Sequence, residues 1–275
     1  MPELRALQDP QALLPLLDSE RHLTEDVRYS LLLRGSTPWE ETTRYLVDDP
    51  TSPSLVLKCE WHHTFYARRT KDFTTALDYL ESTDYRNERE AAAADWKTEE
   101  RERLLGELHF GGLAERWCRI LRNRYPIEHE NPCYVYYWDG PAPREPRIEL
   151  RDLGPEHAEL VEQHWEFGGH DEDSIAYIRW RLETGPAPAV FENDEPVAWC
   201  MTHGGGSMGN IFVLPEYRRR GLGLELTYGM IRRVLDGGWL PLCHIKQVNK
   251  ASISMSEKAG LVCGGPVSWI AARLH

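Results

Sequence analysis

The chain has 275 residues, 41% of them hydrophobic and 28% charged, which leaves room for one large domain or two of ordinary size. A net charge of −12 lacks the basic face that a general nucleic-acid binder needs to displace counterions. No apolar run reaches bilayer-spanning length, and Met1-Pro2-Glu3-Leu4-Arg5 does not open a secretory leader, so an intracellular, cytoplasmic protein with no nucleic-acid or membrane partner is expected.

In chain order, Asp9 to Leu17 reads as a short capped helix, and Tyr29 to Leu33 and Ser54 to Lys58 as strands. Asp72 to Leu80 and Glu99 to Phe110 have helical spacing. So does Leu113 to Arg124, with Leu113, Trp117 and Leu121 on one stripe. Tyr85 to Glu100, dense in charge and alanine, reads as a mobile surface segment, and Cys133 to Trp138 as a strand. The stretch Asp139 to Pro146 carries three prolines and reads as a linker. It divides the chain into residues 1–140 and 147–275.

The second part is more regular. A strand at Ile148–Leu150 precedes helices over Pro155–Trp165 and Asp171–Leu182. Ala189–Glu192 and Val197–Thr202 read as strands around the turn Asn193-Asp194-Glu195-Pro196. Met208–Leu214 is a strand stopped by Pro215. Leu222–Leu235 is a helix with the apolar ridge Leu222, Leu226, Met230 and Val234. Leu240–Ile245, Lys250–Ala259 and Val267–Ala271 follow as strand, helix and strand. This order packs as a mixed sheet covered by helices, an α/β (α+β) class.

The turn Arg218-Arg219-Arg220-Gly221-Leu222-Gly223 joins a strand to a helix. Free N–H groups from Arg219 to Leu224, the helix dipole and three arginines make an anion site suited to a pyrophosphate; a solvated cap is the plainer reading of a basic helix start. The glycines let backbone approach a ligand. The spacing fits neither a P-loop nor a dinucleotide fingerprint. Pro215 ends strand pairing, so the preceding strand splays from its neighbour and offers Ile211, Phe212 and Val213 to an extended amide ligand. Asn249, Ser252 and Ser256 then share one helix face, with Asn249 an N-cap as well. Six cysteines without a CxxC pair argue against a zinc ribbon, and no metal is expected.

These residues carry a resemblance. Arg218-x-x-Gly221-x-Gly223, with Asn249 followed by Lys258, Gly260 and Leu261, is similar to the signatures of the GCN5-related N-acetyltransferase superfamily. Trp165-Glu166-Phe167-Gly168-Gly169, Glu195-Pro196-Val197-Ala198-Trp199 and Leu214-Pro215-Glu216-Tyr217-Arg218 resemble segments of the glycine N-acyltransferase family, in the same order. The resemblance covers residues 147–275 and is weak before them, where strand Ser54–Cys59 and Trp96-Lys97 are the anchors. It implies two tandem acyltransferase-like domains, each a mixed, mostly antiparallel twisted sheet flanked by helices, the first one degenerate. It implies acetyl-CoA or a longer acyl-CoA as co-substrate, bound by Ile211 to Val213, Arg218 to Leu224, Asn249 and Ser252. It also leaves a mitochondrial location open.

The implied reaction is attack of a small amine, glycine or another amino acid first, on the acyl thioester. A protein lysine, another small amine, or acyl-CoA binding without catalysis are the other readings. The family's proposed base is a Glu whose matching position is Ser207, which cannot take a proton at neutral pH. His203, His244 and a water chain are the candidate replacements, with Glu216 a third side chain that the Pro-Glu-Tyr-Arg turn uses as a brace, and Ser256 is a weak hydrogen-bond donor to the departing thiolate. A backbone N–H near Phe212 or Val213 would hold the oxyanion. Phe167 would cap an acyl chain.

Overall fold

The computed structural model describes residues 4–7, 9–17, 24–25, 27, 44–59, 63–92, 105–166 and 168–274. The chain forms two compact units, Met1–Tyr134 with Gly265–His275, and Val135–Gly264. The expected strand at Tyr29–Leu33, the anchor Trp96-Lys97 and Phe167 lie outside the described residues.

In the first unit, β1 (Arg5–Ala6), β2 (Arg44–Val47), β3 (Leu55–Cys59) and β4 (Thr64–Ala67) form an antiparallel meander in sequence order. Asp9 caps a turn of 3-10 helix that runs into α1 (Leu14–Leu17). The helix α2 (Thr70–Leu80) buries Phe73, Ala76, Leu77 and Leu80, the i, i+3, i+4, i+7 stripe of an amphipathic helix. The Phe73 ring packs on Trp117 at 4.9 Å.

Where composition suggests a mobile segment, Thr83–Ala92 forms α3. Its inner side orders it: Tyr85 is buried, Glu88 pairs with Arg44, and Arg89 donates to the Glu107 carbonyl at 3.0 Å. Of the expected helix Glu99–Phe110, residues 99–104 lie outside the described residues and Leu105 and Gly106 are helical, but Glu107–Ala114 is a strand, β5. Burial of Leu108 and Phe110 on alternate residues is the strand period, and it overrides the helical spacing. Leu113 therefore lies in β5, and α4 (Glu115–Arg124) buries Trp117, Cys118 and Leu121.

β6 (Ile127–Tyr137) continues unbroken past Tyr134, so the division of the chain falls inside a strand. The proline-rich stretch follows that strand instead of marking the boundary. The end of β12 (Val262–Arg273) belongs to the first unit: it pairs antiparallel with β5 from Val267↔Ala114 to Arg273↔Glu107. The strand expected in the second half's sheet goes there because Ile270 and Ala272 complete the apolar cluster of Leu108, Phe110 and Phe73.

In the second unit, β7 (Arg151–Asp152), β8 (Pro188–Glu192), β9 (Glu195–Thr202) and β10 (Met208–Val213) form an antiparallel sheet in the order β10-β9-β8-β7. β7 starts beyond the expected Ile148–Leu150, because Leu150 is used in packing: a Cβ on Gly229 would meet it at 2.2 Å. α5 (Ala158–Gln163) and α6 (Glu172–Thr184) pack on this sheet through Val161, Ile178 and Leu182 around Trp199. α5 stops before the expected Trp165. α7 (Leu222–Asp236) buries Leu226, Met230 and Val234. β11 (Leu242–Lys246) runs beside the end of β6, where Trp138 N–H donates to the Pro241 carbonyl at 2.8 Å. α8 (Lys250–Ala259) completes the unit. Among the described residues no helix is long and apolar enough to cross a membrane.

Phe73 is fully buried, so Phe73→Ala leaves a cavity and is expected to cost about 3–5 kcal/mol, read as a lower denaturant midpoint.

Candidate functional site

β10 and β11 approach each other but belong to different hydrogen-bonded sheets, each as the outermost strand on that side. The expected splay is present. β10 also bulges. Gly209 faces Met201 and Phe212 faces Trp199, so β10 carries one residue more than its partner over that interval. Asn210 absorbs it in the left-handed region at φ 47°. A bulge turns backbone groups out of the ladder, here beside the gap. Pro215 begins a 3-10 turn directly after the strand, as its missing N–H requires.

That turn leads into α7. Gly221 is its N-cap at φ 81°, with open space where a Cβ would point. The N–H groups of Arg219, Arg220, Gly221, Leu222 and Gly223 have no acceptor among the described residues. The Leu224 N–H is excluded from this set, because it donates to the Gly221 carbonyl at 3.1 Å. Five adjacent free donors at the positive end of a helix make an anion cradle. Gly223 has a second use besides its free N–H: a Cβ there would meet Met255 Sδ at 2.9 Å, so its absence lets α7 and α8 pack.

The three arginines divide. Arg218 Nε donates to the Val213 carbonyl at 2.9 Å and Arg220 to the Glu216 carbonyl at 3.0 Å, so both brace the turn. Arg219 has φ 64°, is exposed, and its side chain makes no hydrogen bond, ion pair or ring contact with the described residues. Across the gap, Asn249 caps α8 by accepting from the Ser252 N–H at 3.0 Å. Ser256 is buried beside the Cys243 thiol, which burial pushes up to about 12.

The opposite side of the sheet carries the histidines. His203 closes the β9–β10 turn by donating its N–H to the Ser207 carbonyl at 2.8 Å. A Cβ on Gly209 would meet His203 Nε2 at 2.1 Å, so the ring lies against the backbone just before the bulge. Burial lowers His203 to about 4, helped by the Arg181 guanidinium and by His244 nearby. Burial alone lowers His244 to about 4. The structure thus brings the two candidate histidines together beside the bulge, both neutral at pH 7. Phe212 offers this side its ring, stacked on His164 at 4.4 Å and packed on Trp199.

Tyr177, Arg181 and Lys246 line this chamber without belonging to any of the motifs, beside Trp165 and Glu166, which do. Trp165 stacks on Tyr177 at 5.8 Å and on His203 at 5.9 Å. The Tyr177 hydroxyl accepts from the Gly204 N–H at 2.9 Å. Arg181, 1% exposed, donates to the carbonyl and hydroxyl of Thr202 at 3.0 and 2.6 Å. Lys246 on β11 holds the Glu166 carboxylate at 2.8 Å. The loop bearing Glu166 is fixed from behind by Glu162, which accepts from the His170 N–H and the Ser174 hydroxyl. Gly168 is required there, since a Cβ would come within 2.4 Å of that carboxylate.

The two lowered imidazoles have a stability consequence. An unfolded histidine titrates near 6.5, so below that pH the unfolded chain binds more protons than the native one. Their contribution is complete above pH 6.5 and lost as the pH falls toward 4. Calorimetry is expected to show Tm dropping through that window, with a shallower drop in the His203→Gln/His244→Gln variant.

A family model described as "FR47-like protein" matches residues 190–263, which run from within β8 past α8 and hold the whole cradle. The chain is 29% identical over 111 residues to a glycine N-acyltransferase of Bos taurus and 30% identical over 110 residues to that of Homo sapiens. Each match takes in 40% of this chain and 37% of the relative's length. Among solved structures, a Drosophila protein aligns with a TM-score of 0.71 at 17% identity over 98% of both chains. A tandem GNAT protein of the clavulanic acid biosynthesis pathway aligns at 0.56 and 14% identity, again over 98% of both. The fold is that of the tandem GCN5-related N-acetyltransferases, and over 40% of its length the chain is similar to glycine N-acyltransferases.

Proposed function

We propose that the second unit binds an acyl-CoA and transfers its acyl group to the amine of a small acceptor, glycine or another amino acid first. One observation carries this reading: five backbone N–H groups without acceptors open α7 beside two strands that have parted. The cradle suits the pyrophosphate, and the gap between β10 and β11 suits the amide-bearing pantetheine arm. The names of the bovine and human relatives support the choice of acceptor.

In the reaction, the neutral amine attacks the thioester carbonyl. The C–N bond forms, the C–S bond breaks, and the thiolate leaves. Thiols titrate near about 8.5, so the leaving group needs little help. The oxyanion falls to a backbone N–H at the bulge, near Phe212 or Val213. Ser207 offers no carboxylate, and its carbonyl is committed to the His203 N–H. His203, whose ring lies against the backbone at Gly209, is a proton acceptor beside the bulge. Being neutral, it can take the proton from the ammonium formed on addition, with His244 behind it. Ser256 is turned to Cys243 and gives the thiolate nothing. A residue that cannot ionise at the family's base position favours one second reading, acyl-CoA binding without turnover. Thiol release with glycine and a series of acyl-CoAs separates the two.

Arg219→Glu reverses a charge that braces nothing, and is expected to weaken acyl-CoA binding about tenfold with Tm unchanged. Adding Arg218→Glu and Arg220→Glu is expected to abolish binding by calorimetry; retained affinity would remove the cradle from the mechanism. His203→Ala is expected to lower kcat about 100-fold with acyl-CoA binding intact. An unchanged kcat assigns the proton to water.

A further inference from the structure

One cation in the histidine chamber already holds a carboxylate. Lys246 stands two residues after His244 on β11, so both project from the same face, roughly 7 Å apart along the strand. Its Nζ is 2.8 Å from Glu166 Oε1. Glu166 follows Trp165, whose ring stacks on His203. The carboxylate of Glu166 is thus delivered beside the imidazoles by the segment that walls them.

The two partners are unequally exposed. The Lys246 side chain is 28% accessible and that of Glu166 is 74%. A pair with one partner so open to water is worth about 0–1 kcal/mol, so a second carboxylate displaces Glu166 at little cost. The half-covered ammonium keeps its demand for an anion. In a chain of net charge −12, an anionic group needs such a local cation to enter.

We propose that Lys246 anchors the carboxylate of the acceptor, that Glu166 is the internal carboxylate which the acceptor displaces, and that the acceptor is therefore an amine bearing a carboxylate. This rests on the N-acyltransferase reading above. It makes Lys246 the residue that separates amino acids from simple amines, while the imidazole side handles the proton. The Glu166 loop then neutralises the anchor when no substrate is bound and is released from it when substrate enters.

The experiment compares glycine with glycinamide, which keeps the amine and lacks the carboxylate, using one acyl-CoA and thiol release. Wild type, Lys246→Met, Lys246→Arg and Glu166→Gln are each tested on the full chain. Lys246→Met is expected to raise KM for glycine about tenfold more than KM for glycinamide, with Lys246→Arg keeping most of the preference. Because each variant is read as a ratio of two amines, a general loss of structure or of acyl-CoA binding cancels. Glu166→Gln removes the competitor and is expected to lower KM for glycine. If wild type turns over glycine and Lys246→Met moves both amines equally or neither, the anchor is refuted and the transfer reading stands. A rise in glycine KM in Glu166→Gln refutes the displacement. If wild type turns over neither amine, the transfer reading falls and the anchor with it.

Discussion

Two strands that come close without bonding, β10 and β11, are the constraint on which the second unit depends. A sheet edge exposes unpaired N–H and C=O groups, and a gap between two edges exposes two rows of them. Such a gap persists only if something keeps it from closing. Here the bulge at Asn210 twists β10 out of register, and Pro215 removes the donor that would extend its ladder. α7 and α8 pack against each other where Gly223 admits Met255. The opening is therefore built by the backbone, and the side chains around it are free to specialise.

They specialise by side. The α7–α8 side presents main-chain donors, with two of its three arginines spent on bracing the turn. The α5–α6 side presents rings: His203 and His244 are kept neutral by burial, and Trp165 and Tyr177 wall them. Arg181 adds an electrostatic bias to the second side. A guanidinium buried at the Thr202 carbonyl raises the cost of a second positive charge on His203, so the imidazole stays unprotonated and is a weak base. Catalysis in such a site draws on positioning and on oxyanion binding more than on a strong base.

The cradle is legible in the sequence because it is local. Arg218 to Gly223 lie on one turn, and the positive φ at Gly221 is what a glycine there announces. Asn249 is legible for the same reason, its cap bond spanning three residues. The Lys246–Glu166 pair joins residues 80 apart, and Arg181 reaches Thr202 across 21, so no spacing rule reports either. The end of the expected helix at Glu107 to Phe110 misleads because helical spacing carries on into it, whereas the apolar alternation of Leu108 and Phe110 settles the strand. The packing use of Gly223 is not legible, because a glycine near a ligand and a glycine under a helix look alike until the neighbour, Met255, is known.

The strand β12 has a consequence for synthesis. Its residues Val267 to Arg273 close the sheet of the first unit against β5, more than half the chain earlier. On a ribosome, the N-terminal unit has its described helices and the strands β1 to β6 early but waits for β12 until the second unit has been made. The usual order, in which the N-terminal domain finishes first, is reversed. The exposed edge of β5 must stay unpaired through that interval, which makes it the segment of the nascent chain most in need of protection from aggregation.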